Sequence, residues 1–280
     1  MVSTVAHRPA VRLVLTLLVR DEIELVEANL RHHIRAGAAH IVVTDNGSVD
    51  GTRELLGELA RELPITVIDE PSPGYEQSAW VTRMARIAAR DHGADWVINA
   101  DADEFWWAPN FDLPSALAPV GVHFGVVEAP SLDYVPVGTG PMPGQRVDQL
   151  RFRRRRWGTR KVAHRGATDV VVAQGNHTVD APAMRVDPDR SRIEVLHCPQ
   201  RTYERFEHQV VSGARAYLAS PGLPDPYGHH WKRRYALWET GQLPHHWCSE
   251  LALTPATLAL GLARRELTFD SRLHRVLTSW

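Results

Sequence analysis

The chain has 280 residues, 44% of them hydrophobic and 23% charged, with a formal net charge of −1. That is apolar material enough for one large domain or two small ones, and a charge balance that argues against bulk nucleic-acid binding, local patches aside. Its 2 cysteines, Cys198 and Cys248, lie far apart and outside any CxxC pattern, which excludes a disulfide framework and a cysteine zinc site.

Residues 1–10 read as a loose tail. Residues 11–19 form an apolar run broken only by Arg12 and Thr16, as expected of a parallel strand covered on both faces. Arg20, Asp21 and Glu22 close it. Ile23, Val26, Leu30 and Ile34 then recur at helical spacing up to Gly37. A second strand, residues 40–44, runs into the turn-rich segment 45–52, where Asp50 or Thr52 can cap a helix carrying Leu55, Leu56 and Leu59. A third strand follows at 65–68, a loop at 71–74, and a helix at 75–89 with Trp80, Met84 and Ile87 on its inner side. The strand starting at Trp96 completes a β-α-β-α-β-α-β order, which predicts a mostly parallel sheet with right-handed crossovers.

After Trp107 the rhythm changes. Residues 122–129, 149–153, 170–173 and 193–197 read as shorter strands, and 136–144 as a Gly- and Pro-rich loop facing an acceptor. Residues 203–218 read as a helix with the stripe Phe206, Val210, Ala214 and Tyr217, and 256–262 as another. No repeat or linker divides the chain, so a single two-part domain is expected. No apolar run reaches the roughly 18 residues that cross a bilayer. The chain is therefore read as soluble and cytoplasmic, with a peripheral membrane contact left open.

The centre of this organisation is Trp96-Val97-Ile98-Asn99-Ala100-Asp101-Ala102-Asp103-Glu104-Phe105-Trp106-Trp107. A buried strand stops at a carboxylate cluster, which a strand interior does not tolerate unpaired. Strand ends of open α/β sheets are where ligands bind. Asp101 and Asp103 can there hold one hard divalent cation, and the cation a diphosphate. Arg20-Asp21-Glu22 and Asp45-Asn46-Gly47-Ser48 end two neighbouring strands on the same rim. An Asp at that place can accept from a pyrimidine N–H, and Arg20 can meet phosphate or ribose. A solvated acidic turn and capped loops are the plainer alternatives.

The segments Leu18-Val19-Arg20-Asp21-Glu22, Val43-Thr44-Asp45-Asn46-Gly47-Ser48-Val49-Asp50-Gly51-Thr52 and Asp101-Ala102-Asp103-Glu104-Phe105 resemble the family 2 type of nucleotide-sugar glycosyltransferases. They are most similar to the branch whose acidic motif reads Asp-x-Asp-Glu-Phe. The resemblance spans residues 11–107 and thins afterwards. It implies the GT-A fold, a nucleotide-diphospho-sugar donor, a Mn²⁺ or Mg²⁺ ion and inversion at the anomeric carbon. It further implies that Asp45 contacts the base, Asp101 the ribose or metal, and Asp103 the metal. Where many members carry two Asp, this chain has Asp45-Asn46. Residues 11–107 are thus expected to form the nucleotide-sugar half, with Arg20, Glu22, Asp45 and Asp101 toward the donor. Residues 108–280 are expected to form the acceptor half.

That second half must supply a base and a third metal ligand. In related enzymes of this fold a His at the position of His197, between a strand and a helix, often completes the metal shell; a hydrogen-bonded structural His is the alternative. For the base that deprotonates the acceptor hydroxyl, the candidates are Asp133, Asp169, His177 and Glu194, with Asp133 placed first and His177 second. The block from Arg151 to Lys161 holds most of the local charge. It reads either as a loop meeting a diphosphate or anionic acceptor or as a solvated loop. The cluster His229, His230, Trp231, Trp238, His245, His246 and Trp247 lacks metal-ligand spacing and reads as an amphipathic wall, or an aromatic platform for a sugar.

The expectation is an α/β, GT-A type chain acting as a metal-dependent, inverting, hexosyltransferase-like enzyme. Its acceptor would be a glycan, a lipid-linked molecule or a small molecule, and no nucleic acid is expected. The rivals are a sugar nucleotidyltransferase, whose Gly-rich phosphate loop is missing here, and a non-catalytic nucleotide- or sugar-binding protein.

Overall fold

Alternate residues of the first strand go to opposite faces, and both faces are covered. In β1 (Leu13–Val19), Leu13, Leu15 and Leu17 join one buried cluster and Val14 another. The first cluster is closed by Val26 and Leu30 of α1 (Val26–Arg35) and by Leu56 and Leu59 of α2 (Thr52–Leu59). The second is closed by Val81, Met84, Ala85 and Ala88 of α3 (Gln77–Arg90). This is why the strand tolerates no alternation of polar and apolar residues. The structure is a computed structural model and describes residues 11–72, 76–138, 149–181, 184–187, 192–218 and 229–279; the N-terminal tail, Tyr75 and most of the 136–144 loop lie outside them.

β2 (Ala38–Asp45) and β3 (Ile65–Asp69) continue the parallel sheet on one side of β1, and β4 (Trp96–Asp101) on the other. Beyond β4 lie strands of the second half. β5 (Glu104–Trp107), β6 (Val126–Asp133), β8 (Arg160–Arg165) and β11 (Glu194–His197) complete an eight-stranded sheet of order β3-β2-β1-β4-β8-β6-β11-β5. β8 is antiparallel to both neighbours, β11 is parallel to β6, and β5 turns back antiparallel to β11. β7 (Phe152–Arg154) pairs instead with β12 (Leu267–Phe269), and β9 (Val171–Val172) with β10 (Val179–Asp180). Short α4 (Leu113–Leu117) packs under Gly37, where a Cβ would stand 2.7 Å from Pro114 Cδ. α5 (Tyr203–Leu218), α6 (His229–Glu239) and α7 (Leu243–His246) gather around Phe206 and Trp247, and α8 (Pro255–Ala263) and α9 (Arg272–Leu277) finish the chain.

Several elements differ from the sequence reading. α1 starts at Val26 rather than at Ile23; residues 23–25 form a turn that leads into it, with the amides of Glu22 and Ile23 held by Thr52 and Asp50. The strand expected at 122–129 lies at Val126–Asp133; residues 121–124 form a turn and Val122 is 77% exposed. The strand expected at 149–153 is Phe152–Arg154. Of the aromatic and histidine cluster, Trp247 is buried against Phe206 and Trp238 stacks on Tyr235. Trp247 joins α5 to the helices after it, while the Tyr235–Trp238 stack lies on one helix and is half-buried; the side chains of His229, His230 and Trp231 lie outside the described residues.

Candidate active site

The carboxyl ends of β1 and β4 open into a cleft of about 410 Å³. Arg20, Glu22, Asn46, Asp101, Asp103 and His197 line it, and one side of α5 forms its outer wall through Arg205, Gln209, Ser212 and Gly213. The acidic turn at its floor is held from behind. Asn29 of α1, fully buried, donates from Nδ2 to the carbonyls of Ala102 (3.0 Å) and Glu104 (2.9 Å). Its own carbonyl and side-chain oxygen accept from His33 Nδ1, and the amide of Trp106 donates to His33 Nε2. The turn between β4 and β5 therefore rests on polar groups carried by α1.

Charges are matched in two shells. Lys161 of β8 reaches under the turn, with Nζ 2.6 Å from Glu104 Oε1 and 3.0 Å from Asp101 Oδ2. Glu104 has no exposed side-chain surface and Lys161 only 5%. Burial pushes Glu104 upward, against the pull of Lys161; burial acts on Lys161 in the opposite sense, yet Asp101 and Glu104 overcome it and raise its pKa. Asp101 Oδ1 also accepts from Gln77 (3.2 Å) and Asn176 (3.1 Å).

His197 stands at the end of β11 between two carboxylates. Its Nδ1 donates to Asp133 Oδ1 at 2.8 Å, and its Nε2 lies 3.6 Å from Asp103 Oδ2. Burial disfavours the imidazolium, but Asp103 and Asp133 outweigh that cost and push the ring up to about 10. Against the same burial, His197 holds both carboxyls below the usual carboxylate range. Asp103 thus meets positive charge on the side of His197. Among the described residues no three His, Cys, Asp or Glu side chains already stand together as a metal cage; Asp101 is turned toward Lys161 instead.

The sequence model for glycosyl transferase family 2 matches residues 22–177, more than half of the chain. The chain belongs to glycosyl transferase family 2. The match begins just after β1 and ends at His177, so it includes the acidic turn after β4 but not the cleft-facing ends of β1 and β11. The eight-stranded sheet, parallel through its first four strands, is the GT-A fold of that family. Comparison with curated proteins finds no match.

Solved structures similar to the family 2 chain share little sequence with it. S. aureus TarS 1-349, solved in complex with UDP-GlcNAc, is 13% identical at a TM-score of 0.41, over 85% of this chain and 73% of that one. The mannosyltransferase PcManGT of Pyrobaculum calidifontis, solved with GDP-Man and Mn2+, is 17% identical at 0.35, over 95% and 84%. Glucosyl-3-phosphoglycerate synthase of Mycobacterium tuberculosis is 16% identical at 0.30, over 44% of each chain.

The residues singled out in the sequence are distributed unevenly. Arg20, Glu22, Asp101, Asp103 and His197 meet at the cleft. Asp45 does not line it: the residue is fully buried and Ser48 engages its carboxylate through both amide and hydroxyl. Asn46 takes the cleft position beside it, donating to the carbonyls of Glu70 and Ser72. Asp133 stands behind His197, not in the cleft. His177 is exposed, with Nδ1 bound to the carbonyl of Arg160. Glu194 is paired with Arg272, and Asp169 is exposed in a turn.

The basic block does not act as one loop. Arg153 is tied to Asp270, Arg160 to Glu128 and Lys161 to the acidic turn, while Arg154, Arg155 and Arg156 are exposed. Asn29 and Arg201 escaped the sequence reading, which had Lys161 in the basic block and not under the acidic turn. Lys161 could have been found from the apolar Val162-Ala163 that follows it; for Arg201, fully buried and 2.9 Å from Glu22, the sequence carries no signal.

Proposed function

We propose that the chain transfers a sugar from a nucleotide-diphospho-sugar to an acceptor hydroxyl, with inversion and with the help of Mn²⁺ or Mg²⁺. The observation that carries this reading is the meeting of Asp101, Asp103 and His197 in one cleft at the ends of β4 and β11. Two carboxylates and an imidazole are a donor set that suits a hard or borderline divalent ion. The far nitrogen of His197 is anchored to a carboxylate, as ligating histidines usually are. Among the described residues the three do not stand as a metal cage: the His197 ring takes the place of positive charge beside Asp103 and Asp101 faces Lys161, so an ion bound there would displace the His197 proton and draw Asp101 away from Lys161. Bound there, it would neutralise charge on the departing nucleoside diphosphate.

The protein's own groups carry the rest. Residues 11–107 would hold the donor, with Arg20 and Glu22 at the rim and Asn46 taking the place foreseen for Asp45. Residues 108–280 would supply α5 and the acceptor side. Asp133 serves in this reading to orient His197, and neither it nor His177 is assigned as base. A sugar nucleotidyltransferase and a non-catalytic binding protein both fit less well with membership of glycosyl transferase family 2.

The test is a thermal-shift panel of UDP, GDP, dTDP and CDP, each with and without Mn²⁺, followed by transfer assays with the matching sugar nucleotides. A ligand that binds only the native state raises its stability by mass action. Stabilisation by one nucleoside diphosphate that depends on Mn²⁺ supports the proposal. A panel without any shift, or shifts indifferent to metal, overturns its metal-dependent form.

A further inference from the structure

α8, Pro255–Ala263, reads Pro-Ala-Thr-Leu-Ala-Leu-Gly-Leu-Ala and contains no charged residue. A helix apolar on every side is ordinarily buried in a core or in a bilayer. This one is not. Its buried residue is Gly261, which lies so close to β12 that a Cβ there would stand 2.5 Å from Leu267 Cδ1. The helix rests on β12 along that glycine, and Ala256, Thr257, Ala259, Leu260, Leu262 and Ala263 are exposed. Leu260 is 47% and Leu262 37% accessible. On β12 itself Phe269 is 59% exposed, propped by the ring of Phe152 at 5.6 Å.

The apolar surface has a cationic border. Arg264 and Arg265 follow the helix directly. Arg154, Arg155 and Arg156 come alongside, since β7 pairs with β12 and the amide of Arg155 donates to the carbonyl of Glu266 at 2.9 Å. All five arginines are exposed, and Glu266 is the one acidic residue in segments 154–157 and 264–269. Among the described residues none of the side chains of Arg155, Arg156, Arg264 and Arg265 is held in an ion pair. The chain as a whole carries a formal charge of only −1, so this concentration is local. Trp157, 57% exposed, closes the same turn.

We propose that α8 and its arginine border form a docking surface for an anionic phospholipid bilayer. The helix would lie in the plane of the interface, its alanines and leucines toward the acyl chains and the arginines among the headgroups. Buried apolar area and attraction to anionic lipid add in such binding. Charge decides between this occupant and a second copy of the chain. A two-fold interface across the patch would bring one arginine border against the other, whereas an anionic surface complements it. The proposal does not depend on the transfer reaction, because no residue of the patch lines the cleft.

The experiment is co-sedimentation of the full chain with vesicles of phosphatidylcholine alone and of phosphatidylcholine with phosphatidylglycerol. Binding is expected to the second kind, weakened by salt as screening shortens the reach of the charges. Arg155→Gln with Arg264→Gln should lower vesicle affinity roughly thirtyfold, from the loss of two arginines at the surface. Leu260→Ser with Leu262→Ser should lower it on either salt background. The arginine variant replaces exposed side chains, so its fold is secure, and Mn²⁺-dependent nucleotide binding checks both variants. Absence of binding by the parent, or affinity unchanged in both variants, overturns the proposal. So does a dimer in analytical ultracentrifugation that Leu260→Ser/Leu262→Ser dissolves while vesicle binding persists.

Discussion

At the scale of single residues, the cleft is a set of charges that balance only together. Asp103 faces His197 on one side and open cleft on the other, whereas Asp101 is shared by Lys161, Gln77 and Asn176. Asp103→Asn should therefore remove most of the Mn²⁺-dependent gain in nucleotide affinity, and it should lower the unfolding temperature because the buried His197 loses one of its two carboxylates. Calorimetry finding equal affinity in both proteins would refute the role given to Asp103. Lys161 is the opposite case. Removing it strands Glu104 without any exposed surface, and breaking a buried pair in this way costs about 3–5 kcal/mol. Lys161→Met should lose that much in urea unfolding, and Lys161→Met/Glu104→Gln should recover part of it. A single variant within about 1 kcal/mol of the parent would show that the pair is not stabilising. The acidic motif itself was legible because aspartates rarely follow a Val-Ile strand without purpose. Its partners were not, since Lys161 lies 60 residues away from Asp101 in the chain.

At the scale of elements, α5 and the residues just before it are tied to the segment after β1 by ion pairs. Arg201 and Arg205 both reach Glu22, at 2.9 and 2.7 Å, and His208 Nε2 donates to Asp21 at 2.9 Å. Arg201 has no exposed side-chain surface, and Glu24 lies farther from it, at 3.7 Å. Glu22→Gln withdraws the main countercharge from a buried guanidinium. Hydrogen exchange should then quicken roughly tenfold or more across α5 while amides of β1 and β2 keep their protection, since local opening and global unfolding are separate events. Uniform exchange across all three elements would mean that the pair supports the whole fold instead. The long, strongly patterned elements of the first half were readable from the chain because each has a single apolar period. β5 and β8 were not, because β5 follows the acidic turn only two residues after β4, and β8 opens on Arg160 and Lys161 inside the basic block.

At the scale of the whole molecule, stability should depend on pH through buried histidines that do not line the cleft. His32 and His164 are buried, and burial depresses both to about 4; His33, fully buried, is held well below its ordinary value. Unfolded, each would titrate near 6.5. Below that value the unfolded chain binds more protons than the folded one, so stability is full above pH about 6.5 and falls as pH drops toward 4. Three such groups give a slope of up to about 4 kcal/mol per pH unit near pH 5. His197, raised to about 10, acts in another window: its contribution is complete below 6.5 and is lost as pH rises through 10. Denaturation followed from pH 4 to 10 in metal-free buffer should show a maximum near 6.5. A flat acid limb would mean that the three histidines are not buried as neutral groups.

The sequence by itself determined the doubly covered parallel sheet, the acidic turn after β4, and His197 as a polar group at a strand end. Each of these is written in neighbouring residues: periodicity decides the element, and a carboxylate cluster at the end of an apolar run decides the place of the site. Only the tertiary structure decided which charges meet. Pairing β8 beside β4 brings Lys161 under Asp101 and Glu104, and pairing β11 beside β6 sets Asp133 behind His197 and out of the cleft. It likewise sealed Asp45 against Ser48 and left α8, the most uniformly apolar helix, on the surface. The reason is physical. Local pattern records which face of an element seeks burial, but the energy of a buried charge depends on partners that the chain brings from far away.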